Sequence, residues 1–258
     1  MRMLWYRAWL ETRTRWLAAA VAVVALCAFF VIAHPWVLQQ WARDAVEHPE
    51  WHDPAWLHRA SRDYPFFLWH FLFADLLQKV WVVCAVLLGA GGLVREAAAG
   101  TAGFTLSLPV TRRALFAARA GVAAAEAVAL ALVAALAVIL ISAATGQPYP
   151  PLHALAHAAV MALGGMVFLA LSLLLSTLVE GEQTPTLWGL AAVGLMYFMV
   201  APHADGAPAP LAVRVVDVSG VMAGSPDGPP AWLGLAVSLA VAGAALWTAA
   251  RVTEARDF

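Results

Sequence analysis

Charge is what this sequence has least of. Asp, Glu, Lys and Arg make up 12% of its 258 residues, against about 25% in a soluble domain, too few to cover a folded surface in water. Lysine is nearly absent: Lys79 is the only one, and Asp75-Leu76-Leu77-Gln78 precedes it with no glycine in reach. A phosphate-cradling loop needs a glycine-rich turn running into Gly-Lys-Ser/Thr, so the chain has no nucleotide-hydrolysing centre of that kind. Cys27 and Cys84 are the only cysteines and both lie in apolar runs, which argues against a disulfide framework and leaves two small buried hydrophobes. A G-x-S-x-G nucleophile turn is also missing. Ser172, Ser176, His153 and His157 share one apolar run and invite an intramembrane hydrolase reading. His157 and Ser172 are fifteen residues apart, about 22 Å along a helix, so that pair cannot meet on one helix.

What is there is apolar length. Hydrophobic residues make up 63% of the chain and the mean hydropathy is +0.78. The sequence predicts an all-α integral membrane protein of one domain, 1–258, with spans at 16–33, 73–94, 121–144, 158–178, 187–201 and 232–250. The fifth is short for the roughly 20 residues a bilayer needs. Residues 1–15 read as a basic amphipathic elbow at the interface, with Arg7, Glu11 and Arg15 four apart and Trp5, Trp9 and Trp16 suited to the headgroup layer. The run from Trp16 is too long for a signal-peptide core, and no Ala-x-Ala site follows it. Residues 34–67 form an outer loop carrying a short helix and broken by Pro49, Pro54 and Pro65; 202–231 is an outer or re-entrant segment broken by Pro and Gly.

Arginine position sets the orientation. Arg2, Arg7, Arg13, Arg15, Arg95, Arg112, Arg113, Arg119, Arg251 and Arg256 fall on one predicted side, and only Arg43, Arg59, Arg62 and Arg214 on the other. By the positive-inside rule both termini are cytoplasmic, which is consistent with six spans, whereas five or seven would put the termini on opposite sides.

Between the second and third spans runs a tightly punctuated polar stretch, 95–120. Gly100 suits a left-handed helix end, and Thr101 can cap the next helix. Pro109 pushes Leu108 out of helical geometry and limits that helix to one or two turns. Thr111 can cap the helix that opens with Arg112 and Arg113. This stretch resembles the signature of type-2 ABC transporter permeases, in which an acidic residue, a Gly-Thr pair and a Leu-x-Pro-x-Ser/Thr-Arg run separate the second and third spans. Here these are Glu96, Gly100-Thr101 and Leu108-Pro109-Val110-Thr111-Arg112, which departs from the pattern in that Leu108 directly precedes the proline. The basic N-terminal segment, the six-span layout and the Arg256-Asp257-Phe258 tail extend the resemblance over most of the chain.

The resemblance implies a permease subunit of an ATP-driven exporter in a bacterial cytoplasmic (inner) membrane, paired with a second copy or a similar permease and with two separate ATPases. ATP and Mg would be bound by the ATPase, with no cofactor in this chain. It implies a coupling helix after Thr101, which Phe104, Leu106 and Leu108 would dock on the ATPase while Glu96, Pro109 and Arg112 orient the corners. Membrane lipids are the other expected partner, and nucleic acid is not one. A membrane anchor or assembly subunit without a path of its own is the alternative.

Asp75, Lys79 and Glu126 fall within predicted spans. An ionisable group at mid-membrane costs about 2.5–3.5 kcal/mol on insertion scales, so such residues face a partner, a cavity or a path, and these three are the candidate path residues. Asp75 and Lys79 are also four apart, so they can pair on one helix face. All eight histidines (His34, His48, His52, His58, His70, His153, His157 and His203) lie on or near the predicted outer side. They are read as solvated interfacial groups rather than metal ligands. In His48-Pro49-Glu50-Trp51-His52, proline replaces the base glutamate of the zinc-protease pattern.

Overall fold

The computed structural model describes residues 2–47, 54–91, 110–179, 184–199, 217–225 and 228–255. Every regular element among them is helical. They are α1 (Arg2–Ile32), α2 (His34–Glu47), α3 (Pro54–Arg62), α4 (Tyr64–Leu68), a π-helical segment (Trp69–Leu77), α5 (Gln78–Gly89), α6 (Arg112–Ala144), α7 (Pro151–Leu178), α8 (Thr184–Met199), α9 (Val218–Ala223) and α10 (Trp232–Ala255). Among the described residues, five helical runs are long and apolar enough to cross a membrane: Met3–Ile32, Tyr64–Gly89, Arg112–Ala144, Pro151–Leu178 and Trp232–Ala255. The fifth span expected from sequence falls on α8, whose 16 residues reach about 24 Å against a hydrocarbon core of about 30 Å.

The elements extend beyond the apolar runs that announced them. α1 is one unbroken helix, so residues 2–15 continue into the following run with no corner near Trp16, and Arg7 pairs with Glu11 at 3.4 Å along it. The second membrane-length run starts at Tyr64, not Phe73, because Asp63 caps it by accepting from the Phe66 N–H at 3.1 Å. α6 begins at Arg112, where Thr111 is extended (φ −72°, ψ 147°) and its hydroxyl accepts from the Ala114 N–H at 3.2 Å. Its 33 residues make a rod of about 50 Å, longer than any hydrocarbon core.

Ion pairs fix which helix ends lie together. Arg119 Nη1 meets Glu11 Oε2 at 3.3 Å, and Arg113 Nε meets Glu254 Oε1 at 3.7 Å. Arg15 Nη1 donates to Ala90 O at 3.0 Å. The start of α1, the end of α5, the start of α6 and the end of α10 therefore share one end of the bundle, the basic end.

α7 is the central helix. It packs against α10, α6, α5, α9 and α8, and 67% of its most apolar window is buried, against 22% for α1. Lipid tails are as apolar as leucine, so close packing and hydrogen bonds hold such helices together. A Cβ on Gly165 would overlap the Trp81 ring, and Trp81 Nε1 donates to Ala127 O at 3.0 Å. Ser172 Oγ donates to Val86 O at 2.7 Å. These contacts lock α5, α6 and α7 around one another, with Ala123, Ala127, Ala131 and Ala134 of α6 buried in the seam.

Candidate functional site

The expected coupling residues Glu96, Gly100, Thr101, Phe104, Leu106, Leu108 and Pro109 lie outside the described residues. Both anchor points of their segment are described. At the exit from α5, Ala90 is extended (φ −71°, ψ 122°) and Gly91 has φ +144°, a backbone that L side chains rarely adopt. A Cβ on Gly91 would also displace the Arg119 guanidinium, so the backbone angle and this contact together favour glycine here. Arg15 Nη1 donates to Leu87 O at 3.3 Å as well as to Ala90 O, placing a cation on the last carbonyls of α5, where the helix dipole is negative. At the return point Thr111 caps α6, and Arg112 is the first residue of that helix. Arg119, two turns further along α6, reaches back to Glu11. The segment 92–109 thus leaves and rejoins the bundle at two points, both braced against α1.

Above this foot lies a second polar contact between α1 and α6. Thr12 Oγ1 donates to Glu126 Oε1 at 2.6 Å, and Trp16 Nε1 donates to the Glu126 carbonyl at 2.9 Å. Glu126 is 5% exposed, and its Oε2 has no hydrogen-bond partner among the described residues. Its side chain belongs to the α1–α6 seam.

Asp75 and Lys79 form the i,i+4 ion pair expected from their spacing. Both side chains remain about half exposed, at 57% and 47%, so the pair faces outward from the chain. Asp75 lies in the π-helical segment, a rare geometry that clusters at functional sites. Gln78 points the other way, 2% exposed, and donates to the Ala74 carbonyl and to Ser219 Oγ, the latter at 3.2 Å. Trp69 Nε1 donates to Ala223 O at 2.9 Å, so the π-helical segment is tied to α9 at both ends. The three in-span ionisable groups do not form one constellation: two face outward on one helix and the third is buried in another seam.

A family model described as ABC-2 family transporter protein matches residues 40–217, more than half of the chain. The chain belongs to the ABC-2 transporter family. No curated protein and no solved structure matches it. Members of this family are generally the non-catalytic membrane component of a transporter and generally work with an ATPase partner. The match spans the segment 92–109 and all three in-span ionisable residues. α1 and α10 lie wholly outside the matched range, yet Glu11 and Glu254 brace its basic end.

Other groups in this ABC-2 chain are engaged structurally. His34 is buried edge-on between Tyr64 and Phe67, with ring centroids at 5.0 and 4.4 Å, and burial lowers its pKa below the usual imidazole value. Tyr149, in the turn before α7, is 3% exposed, and burial followed by the proximity of Tyr64 and Asp63 raises its phenol pKa. His157 packs on Phe73 at 5.2 Å. His48, His52 and His203 lie outside the described residues, and among those described no three metal-ligating side chains come together. Ser176 Oγ donates to Leu173 O at 2.7 Å and Ser172 to Val86 O, so both hydroxyls are spent on backbone carbonyls rather than on a histidine.

Proposed function

We propose that this chain is the permease subunit of an ATP-driven exporter, moved by a separate ATPase that docks on the segment 92–109. The observation carrying this reading is the double bracing of that segment's two ends by Arg15, Arg119 and Glu11. A push on the segment is delivered to α1, α5 and α6 together, as a lever requires. With no phosphate-binding loop in its own sequence, the chain must take its work from another polypeptide. Phe104, Leu106 and Leu108 are the apolar docking groups, and Glu96, Gly100, Thr101, Pro109 and Arg112 shape the corners.

The chain crosses the membrane six times, with the fifth crossing falling on α8. Supporting this, Val179 ends α7 on the α5-exit side, whereas α9 packs near His157 and Val160, so the chain changes sides between them. The basic end, with Arg7, Arg13, Arg15, Arg112, Arg113, Arg119 and Arg251, is cytoplasmic in the bacterial inner membrane. Two such subunits enclose the path, and the outward Asp75–Lys79 pair faces it or the second subunit, because a charged pair bare to lipid is too costly. Glu126 serves the path through the α1–α6 seam.

The test is affinity purification of the chain from its native membrane. A P-loop ATPase should accompany it, Phe104→Ala should weaken that contact by about 1–3 kcal/mol, the usual cost of losing an interface anchor, and Pro109→Ala should retain the ATPase while uncoupling hydrolysis from transport. Normal binding and transport in both variants would reduce the chain to a membrane anchor or assembly subunit.

A further inference from the structure

A groove lies among α6, α7 and α10, close to the basic end. Its volume is about 220 Å³, larger than the apolar cavity of about 150 Å³ that stays dry and takes up benzene. The lining is wholly apolar and includes Ala120, Ala124, Leu173, Ala242, Gly243 and Leu246. A Cβ on Gly243 would meet no atom within 4 Å, so the groove opens directly over that backbone. A slot of this size takes a hydrocarbon chain; a helix is about 10 Å across with its side chains and does not fit.

The polar half of the site lies toward the bundle end. Arg113 is seven residues before Ala120, on the same face of α6 and about 10 Å further along the axis. It is 74% exposed and shares the Glu254 carboxylate with Arg251, which is 64% exposed. Two guanidinium groups on one carboxylate leave an excess positive charge at the basic end, next to the apolar groove. Trp247, exposed and lying beneath the Arg251 guanidinium at 5.4 Å, is an amphipathic ring of the kind that suits a headgroup layer.

We propose that the groove binds an anionic phospholipid from the leaflet at the basic end, with an acyl chain in the slot and the phosphate on Arg113 and Arg251. The proposal rests on the membrane-spanning character of the chain and is independent of any ATPase. The full chain, purified and stripped of lipid in detergent, is titrated with phosphatidylglycerol or phosphatidylcholine of equal chain length and followed by native mass spectrometry. Phosphatidylglycerol should bind more tightly. Replacing each arginine by Gln (Arg113→Gln, Arg251→Gln) should cost about fivefold in affinity for it. Gly243→Leu places its side chain in open space within the slot and should cost more than about tenfold, because several buried methylenes of the lipid are displaced. Equal binding of the two lipids, or unchanged phosphatidylglycerol binding in Gly243→Leu, overturns the proposal. So does a spontaneous disulfide between two copies of Gly243→Cys, which gives the groove to a second subunit.

Discussion

Gly91→Ala is the sharpest perturbation of the foot. Two penalties fall on one methyl group. The first is backbone strain: φ is +144°, a region essentially restricted to glycine, at a cost of about 1–3 kcal/mol. The second is displacement of the Arg119 guanidinium from its place beside Gly91, which also disturbs its pair with Glu11. That pair is 20% and 34% exposed, so its own worth is discounted to about 0.2–1 kcal/mol. Together they predict a loss of roughly 1–4 kcal/mol. At about 2–4 °C per kcal/mol for a chain of this size, the melting temperature in detergent should fall by about 2–16 °C. Comparison with Arg119→Ala separates the two penalties. Removing the guanidinium relieves the overlap but not the φ strain, so Gly91→Ala should cost less in the Arg119→Ala background than in the parent. Tryptophan fluorescence melts of the four proteins give the cycle. A Gly91→Ala protein that melts with the parent refutes the reasoning, and strict additivity refutes the overlap.

Thr12→Val leaves both Glu126 oxygens without a partner among the described residues and should destabilise by about 1–3 kcal/mol, whereas Thr12→Val with Glu126→Leu should cost less than the sum of the single changes. His34 carries a pH signature. Burial lowers its folded pKa, so the folded chain binds fewer protons than the unfolded chain; this stabilisation is full above about pH 6.5 and is lost as pH falls from there through the folded value. Melts from pH 7.5 to 5 should show an acid limb that flattens in His34→Phe, and an unchanged limb would assign it to another group. Impermeant thiol reagents on intact cells should label Ser61→Cys and Ser225→Cys but not Arg251→Cys, since all three positions are exposed and lie toward opposite ends; the reverse pattern would invert the orientation.

Local chemistry was the legible part of this fold. Thr111 as a cap, the Arg7–Glu11 spacing and the Asp75–Lys79 pair need only neighbours in sequence, and each stands as expected. Helix ends were read short. Hydropathy marks where lipid begins, whereas a helix stops only where a cap or a φ-restricted residue stops it, as Asp63, Thr111 and Gly91 do here. Facing was hidden on α6, because a helix rich in alanine is apolar all round and its periodicity cannot say which side meets α1. The bracing by Arg15 and Arg119 escaped for a related reason. As sequence they count only as positive charge, and their acceptors lie 75 and 108 positions away. The π-helical segment was announced only by Asp75, Gln78 and Lys79 falling within four residues of one another in an apolar run.

The central position of α7 carries a consequence for synthesis. The ribosome delivers the chain from the N-terminus, so α1, α5 and α6 are available when α7 enters the membrane. α10, against which α7 packs most extensively, is among the last parts made. Until then the side of α7 that carries Met166, Ala170 and Leu173, which lines one groove with Ala242 and Leu246 of α10, has only part of its final packing. A nascent chain arrested before Trp232 is therefore a bundle with an open flank, the natural moment for quality-control proteases to recognise it, and inserting the final helix is the step that closes the fold.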